Sequence, residues 1–362
     1  MVNIKKMREF ARSIISWYKS NKRELPWRET TDPYKIWISE VILQQTRIAQ
    51  GLGYYNKFIE CFPDVASLAN AKEQTVLKIW QGLGYYSRAR NLHYAAKQVM
   101  NQFGGELPKS REGLLKLKGV GSYTSAAIAS ISYGLPHAAI DGNVYRVLSR
   151  CFNIKTPIDT TKGQKEFELL ANELMQNAPP SDFNQAVMEL GALVCSPKKP
   201  LCDACPLFSL CQARKGSSTH LFPVKSKKTI LKKRYLNYLV IYDEKNVGLT
   251  KRNKKDIWQG LYEFPLLESK KLLSTKEVTK ELADKGLYFE TAVSQSNDLK
   301  HLLTHQELYV RFFYLKLPSE TPMIKSFNSN EVTKTNLSTT TSLPTHKIIT
   351  DELNRILLTR NR

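Results

Sequence analysis

Two carboxylates and a run of four cysteines are the residues with chemistry to offer. Glu40 lies one helical turn from Ile36 and from Leu43, so a helix through this stretch puts the acid on an apolar face. A carboxylate there is either ion-paired or snorkelling to water, or it is buried with a raised pKa and carries a proton at neutral pH. Asp141 stands in Ile140-Asp141-Gly142-Asn143-Val144, just ahead of a predicted helix. It is either a plain N-cap or an anion kept ionised by the helix dipole and the free N–H groups. Two carboxylates whose environments push their pKa values apart are the mark of an acid and an anion partner. Cys195, Cys202, Cys205 and Cys211 are spaced C-x6-C-x2-C-x5-C. Four thiolates suit structural zinc or an iron–sulfur cluster, although zinc pairs usually come as two short knuckles and this spacing has one. Nothing in the set offers an open metal position, so the centre reads as structural. Cys61 and Cys151 read as core thiols.

The elements that must position these groups are helices. Asp32-Pro33 announces one, an N-cap followed by proline at the first helical position, and it carries Glu40. Leu114 to Val144 reads as a short helix, a tight turn at Gly119-Val120-Gly121, and a second helix over Ser122 to Tyr133 stopped by Gly134 and Pro136. A loop then delivers Asp141 to a third helix. The N–H groups of the glycine turn, with a helix N-terminus behind them, form an anion site suited to a phosphate. Further helices are expected in Gly82-Leu83-Gly84-Tyr85-Tyr86 and onward, in Gly163 to Asn177, and from Ser181-Asp182 after Pro179-Pro180. GLGYY also stands at residues 51–55, in different surroundings, so the two copies are not a repeat.

The chain has 362 residues and a formal net charge of +21, with a pI of about 9.6. That length predicts two domains, and that charge predicts a polyanionic partner, most simply nucleic acid. No apolar run is long enough to span a bilayer. Met7, Phe10, Ala11, Ile14, Ile15 and Tyr18 fit one face of an N-terminal helix, so that segment reads as folded and not as a signal peptide. Residues 1–215 are helical by pattern and 216–234 are a basic linker. From 235 to 362 the period switches to two, with strands expected in YLNYLVIY, NVGLTKR and LYVRFFYLKL. Helices near 275–285 and 344–358 make this an α+β domain, and the Thr/Ser/Asn-rich 318–345 is expected to be an irregular loop.

Trp37-Ile38-Ser39-Glu40-Val41-Ile42-Leu43-Gln44-Gln45-Thr46, the glycine hairpin, Asp141-Gly142-Asn143-Val144, the four cysteines and Trp258-Gln259-Gly260-Leu261-Tyr262-Glu263-Phe264-Pro265 together resemble the adenine DNA glycosylases of the MutY type. These belong to the helix–hairpin–helix–Gly/Pro…Asp base-excision family. The resemblance implies an all-α helix–hairpin–helix glycosylase fold with a [4Fe–4S] loop, followed by an α+β MutT-like (Nudix) domain. It implies hydrolytic removal of adenine opposite 8-oxoguanine or guanine in double-stranded DNA, by a monomer of the bacterial cytoplasm and nucleoid. The four cysteines become cluster ligands. Glu40 becomes the acid and Asp141 the group facing the sugar of an extruded nucleotide. Tyr123 belongs to the same catalytic group, as does Asn143, which lines the adenine pocket with Arg28. Gln45 and Tyr85 fill the base stack, and Leu43 is a further DNA contact. Gly119, Val120 and Gly121 hold backbone phosphate.

Two departures bear on function. The lyase branch of the family carries a lysine two residues after the second hairpin glycine, where this chain has Tyr123, so the resemblance implies hydrolysis without a Schiff base. Leu303-Thr304-His305 stands where the family places a Phe-Ser-His loop against 8-oxoguanine; a hydroxyl and the histidine remain, and the aromatic ring does not. The long Nudix box is absent, so the second domain is expected to read a base and not to hydrolyse pyrophosphate. The competing readings are a bifunctional endonuclease III-like glycosylase/lyase on oxidised pyrimidines and a non-catalytic iron–sulfur DNA-binding protein.

Overall fold

The fold is taken from a computed structural model describing residues 4–176, 178–226, 230–287, 293–317 and 323–360. The helices are α1 (Ile4–Asn21), α2 (Pro33–Leu43), α3 (Ile48–Cys61), α4 (Val65–Asn70), α5 (Glu73–Trp80), α6 (Ser87–Gln102), α7 (Arg111–Leu115), α8 (Ser122–Tyr133), α9 (Gly142–Phe152), α10 (Thr161–Met175), α11 (Pro180–Leu193) and α12 (Gln212–Lys215). Their ends follow local chemistry. Asp32 accepts from the Tyr34 and Lys35 N–H groups, and Pro33 opens α2. Gly134 closes α8 in the left-handed region, at φ +66°. The expected Ser-Asp cap of α11 is not the one used. Pro179 is the capping residue without a side-chain bond, Pro180 starts the helix, and Asp182 falls in the first turn, where it complements the dipole.

Two compact units form. In the first, residues 4–70 and 91–226, Phe10, Ile14, Phe167, Leu174, Phe183, Val187 and Leu190 close a core between α1, α9, α10 and α11. Cys151 lies in that core, whereas Cys61 is exposed at the end of α3, contrary to its reading as a core thiol.

The second unit combines residues 71–90 with 230–360. Its elements are β1 (Lys232–Tyr242), β2 (Asn246–Lys251), β3 (Tyr262–Glu263), β4 (Leu266–Ser269), α13 (Thr275–Asp284), β5 (Ser294–Gln295), β6 (Leu299–Leu302), β7 (Gln306–Lys316), β8 (Ser326–Phe327), β9 (Asn330–Asn336) and α14 (Lys347–Arg360). β1 and β7 run parallel at the centre, with Tyr238 opposite Phe312 and Leu239 opposite Phe313. Alternation sends these to opposite faces. Tyr238 and Phe312 pack under Ile349 and Leu353 of α14; Leu239 and Phe313 pack with Val278 and Leu282 of α13. Both faces are thus covered, which explains why β1 is a nearly unbroken buried run. Of the expected loop at 318–345, residues 318–322 lie outside the described residues, and the remainder contains β9, antiparallel to β2 with Leu249 opposite Thr333. Its Thr-rich sequence has little periodicity of its own, and the edge of β2 supplies the partner. Residues 71–90 join this unit through bonds from Gln74 to the Gly260 carbonyl at 3.3 Å, Lys78 to the Leu343 carbonyl at 3.1 Å and Arg90 to the Gln259 carbonyl at 2.6 Å.

Candidate active site

The hairpin forms where it is expected. Gly119 adopts φ +80°, and a Cβ there would come within 2.7 Å of the Asn91 side chain, so both conformation and space call for glycine. Gly121 is extended instead, with open space where a Cβ would be, and no side chain caps α8 behind it. Val120 is buried and anchors the turn from beneath.

Beside the hairpin the first unit forms a half-open cavity of about 890 Å³. Glu40, Tyr123, Asp141 and Asn143 line it, as do Arg28, Leu43, Gln45, Gly119 and Gly121. Glu40 is 7% exposed. Burial pushes its pKa up to about 7; the Tyr123 hydroxyl, donating at 2.5 Å, and Arg28 pull down, while Asp141 adds to the rise. Asp141 is the N-cap of α9, accepting from the Val144 N–H at 2.8 Å and the Asn143 amide at 2.7 Å. The direction expected from the helix dipole alone is reversed. Burial raises the Asp141 pKa above the ordinary value, against the pull of these donors and of Arg146. Asp141 nonetheless has more N–H donors than Glu40, so the two acids sit in unlike environments.

Three supporting features were not read from the sequence. Glu189, 1% exposed, binds Arg28 at 2.8 and 2.7 Å and Arg23 at 2.8 and 2.5 Å. Burial alone would raise its pKa, but the two guanidinium groups outweigh that and hold it at about 2. The signal was available: Glu189 lies among Ala186, Val187 and Leu190, as Glu40 lies among its apolar neighbours. Gly191, two residues on, lets α11 approach Asn143; a Cβ there would lie 2.5 Å from the Asn143 Cβ and 3.1 Å from its backbone. Arg146 donates to the Asn143 side chain at 2.8 Å, to the Gly191 carbonyl at 2.8 Å and to the Cys195 carbonyl at 2.7 Å, tying the Asp141 loop to the first cysteine.

Cys195, Cys202, Cys205 and Cys211 all line one small cavity. As placed, no three His, Cys, Asp or Glu side chains among the described residues already meet metal-site geometry. The surroundings still suit an anionic centre. Arg150, 2% exposed, donates to the Cys195 sulfur at 3.3 Å and to the Ser196, Pro197 and Thr219 carbonyls, none of which balances its charge.

The two residues expected at the base stack share an unusual backbone. Gln45 has φ +57° and Tyr85 has φ +47°, both rare for non-glycine residues and common at functional sites. Gln45 is exposed, and Tyr85 is 41% exposed. In the second unit, Leu303-Thr304-His305 forms the β6–β7 tip, closed by the Leu303 N–H on the Gln306 carbonyl at 2.8 Å. The Tyr85 hydroxyl is hydrogen-bonded to the Thr304 hydroxyl within that unit. The Trp258 motif serves the interior: Trp258 stacks on His346 at 3.7 Å, and Glu263 pairs with Arg252 at 2.7 Å. Glu277 of α13 is occupied in a capping box with Ser274.

Residues 38–173 match the helix–hairpin–helix–GPD superfamily of base excision DNA repair proteins, and residues 237–350 match a Nudix domain. The first unit's fold is also that of solved DNA glycosylases. A thermostable thymine-DNA glycosylase is 31% identical, with a TM-score of 0.55 over 59% of this chain and 98% of that one. Endonuclease III trapped on DNA, at 23% identity and a TM-score of 0.51, covers 60% of this chain and 99% of its own and shows the shared fold. The fold and the matched superfamily define a base-excision DNA glycosylase. Curated relatives narrow this further. The adenine DNA glycosylase of Buchnera aphidicola from Schizaphis graminum is 35% identical, covering 72% of this chain and 76% of that protein. That of the Baizongia pistaciae strain is 34% identical over 83% and 84%. The human adenine DNA glycosylase is 44% identical over 57% of this chain, which spans 39% of the human protein's length. The chain belongs to the adenine DNA glycosylase family. No helix among the described residues is long and apolar enough to cross a membrane.

Proposed function

We propose that this enzyme hydrolyses the N-glycosidic bond of adenine mispaired with 8-oxoguanine or guanine in double-stranded DNA, acting as a monomer in the bacterial cytoplasm at the nucleoid. The observation that carries the reading is the pairing of buried Glu40 with the N-cap Asp141 in one cavity. The adenine leaves the duplex at a cost of a few kcal/mol and enters that cavity. Arg28 and Asn143 orient it, and Gly119 to Gly121 with the α8 N-terminus take a backbone phosphate. Leu43 contacts the DNA beside the opening, while Gln45 and Tyr85 occupy the space in the stack.

Glu40 gives its proton to the adenine ring, and the bonding electrons leave with the base. The carboxylate of Asp141 faces the oxocarbenium-like sugar, so positive charge develops against a fixed anion. Water adds to the sugar carbon and returns a proton to Glu40. Tyr123, hydrogen-bonded to Glu40, positions the acid; it has no amine, so no Schiff base forms and the abasic strand stays intact. Cys195, Cys202, Cys205 and Cys211 would hold a [4Fe–4S] cluster that braces the loop, a role supported by the buried Arg150 guanidinium beside Cys195. Thr304 and His305 would read the base opposite the adenine. The domain boundaries that go with this reading are 1–215 for catalysis, 216–234 as linker and 235–362 for recognition, with residues 71–90 packing alongside the recognition part.

The test is single-turnover release of adenine from duplexes with adenine opposite 8-oxoguanine, guanine or cytosine. The expected order is fastest opposite 8-oxoguanine and slowest opposite cytosine, with Glu40→Gln binding DNA but releasing no adenine. Release by Glu40→Gln within a few fold of the parent enzyme refutes the assignment of the acid.

A further inference from the structure

The pair of arginines at the cavity wall poses an electrostatic problem. Arg23 and Arg28 both reach the wall that Glu40 shares, and two cations there would favour the ionised form of the acid. Glu189 lies between them on α11, each of its oxygens accepting from both guanidinium groups, and it also takes the Arg23 backbone N–H at 3.0 Å. We propose that Glu189 is a positioning and charge-balancing residue for the glycosylase reaction. It binds both terminal nitrogens of Arg28, fixing that guanidinium at the cavity wall, and cancels one of the two positive charges that would favour ionisation of Glu40.

The charges around Glu40 make this balance specific. The Tyr123 hydroxyl faces it from α8, the Asp141 carboxylate from the start of α9, and Arg28 from the turn before α2. Of these, only Arg28 is cationic, and its neutralising partner is Glu189. The sum over Arg23, Arg28 and Glu189 is one net positive charge. Being ionised well below neutral pH, Glu189 keeps that sum constant across the working range. The inference rests on Glu40 being the acid.

The experiment measures the pH dependence of single-turnover adenine release for three variants of the full chain. Glu189→Gln leaves two unopposed positive charges, and the alkaline fall in rate should move to lower pH by on the order of one unit. Arg23→Gln, at a partly exposed position, leaves the Arg28–Glu189 pair neutral, and the fall should move the other way. The double variant restores one net charge, and its limb should return to the parental position. A purely structural role for Glu189 lowers rates without moving the limbs in opposite directions. Unmoved limbs in folded Glu189→Gln and Arg23→Gln overturn the proposal; if Glu189→Gln does not fold, an unmoved limb in Arg23→Gln does so alone. An inactive Glu40→Gln alongside unmoved limbs sinks only this inference, whereas an active Glu40→Gln sinks the acid assignment itself.

Discussion

Replacing Glu40 with glutamine should stabilise the protein, by an amount that grows as pH rises from about 4.5 to 7. Burial raises the folded-state pKa of Glu40 from an ordinary 4.5 to about 7. Below about pH 4.5 the group is protonated in both folded and unfolded chains, and its burial carries no ionic cost. As pH rises from there the unfolded chain ionises first, and stability falls until the folded group ionises too, near pH 7. Above that the loss is constant. A gap of about 2.5 units at 1.36 kcal/mol each gives about 3 kcal/mol at pH 8, and under about 1 kcal/mol at pH 5. Glutamine has nearly the same shape, can still accept from Tyr123 and never ionises, so it escapes this penalty. Denaturant midpoints of the parent and Glu40→Gln proteins at pH 5 and pH 8 give the comparison. The variant should be more stable by about 3 kcal/mol at pH 8 while lacking adenine release, the pattern of a site that trades stability for function. Equal stabilities at pH 8, or a difference that does not change between the two pH values, would falsify the claim that burial raises the Glu40 pKa.

Three further outcomes follow from particular contacts. Gly191→Ala drives a methyl group against the Asn143 backbone, so α11 and the Asp141 loop must part; a loss of about 1–3 kcal/mol in stability and a larger fractional loss in excision rate are expected by denaturation and single-turnover assay. The purified protein should contain about four irons with broad absorption near roughly 400 nm; stoichiometric zinc in colourless, active enzyme refutes the cluster. Thr304→Ala with His305→Ala should narrow the preference for 8-oxoguanine over guanine by about 1–3 kcal/mol, the worth of one or two hydrogen bonds, and an unchanged ratio of rates on the two mispairs removes the reader role from this hairpin.

Local chemistry made much of the chain legible. The Asp32-Pro33 cap, the glycine hairpin and the Gly134 stop are decided within a few residues, so the helices that carry Glu40 and Asp141 stand where their sequences place them. Apolar periodicity likewise marked the long strands β1 and β7. Motif spacing carried the family, because the acid, the hairpin and the aspartate must meet at fixed separations. What tertiary structure alone decided involves partners far apart in sequence. β9 is a strand because β2 offers it an edge, and not through any strong pattern of its own. Residues 71–90 belong with the second unit through bonds to residues 259, 260 and 343. The Asp141 pKa rises because burial overrides a helix dipole that sequence could suggest but not weigh. Glu189 could be seen on an apolar face, yet its two arginine partners lie more than 160 residues away, and only the packing of α11 against the first turn brings the three charges together. Caps and periods are local free energies written in neighbouring residues; charge balance and burial are sums over space, and the chain must fold before they have values.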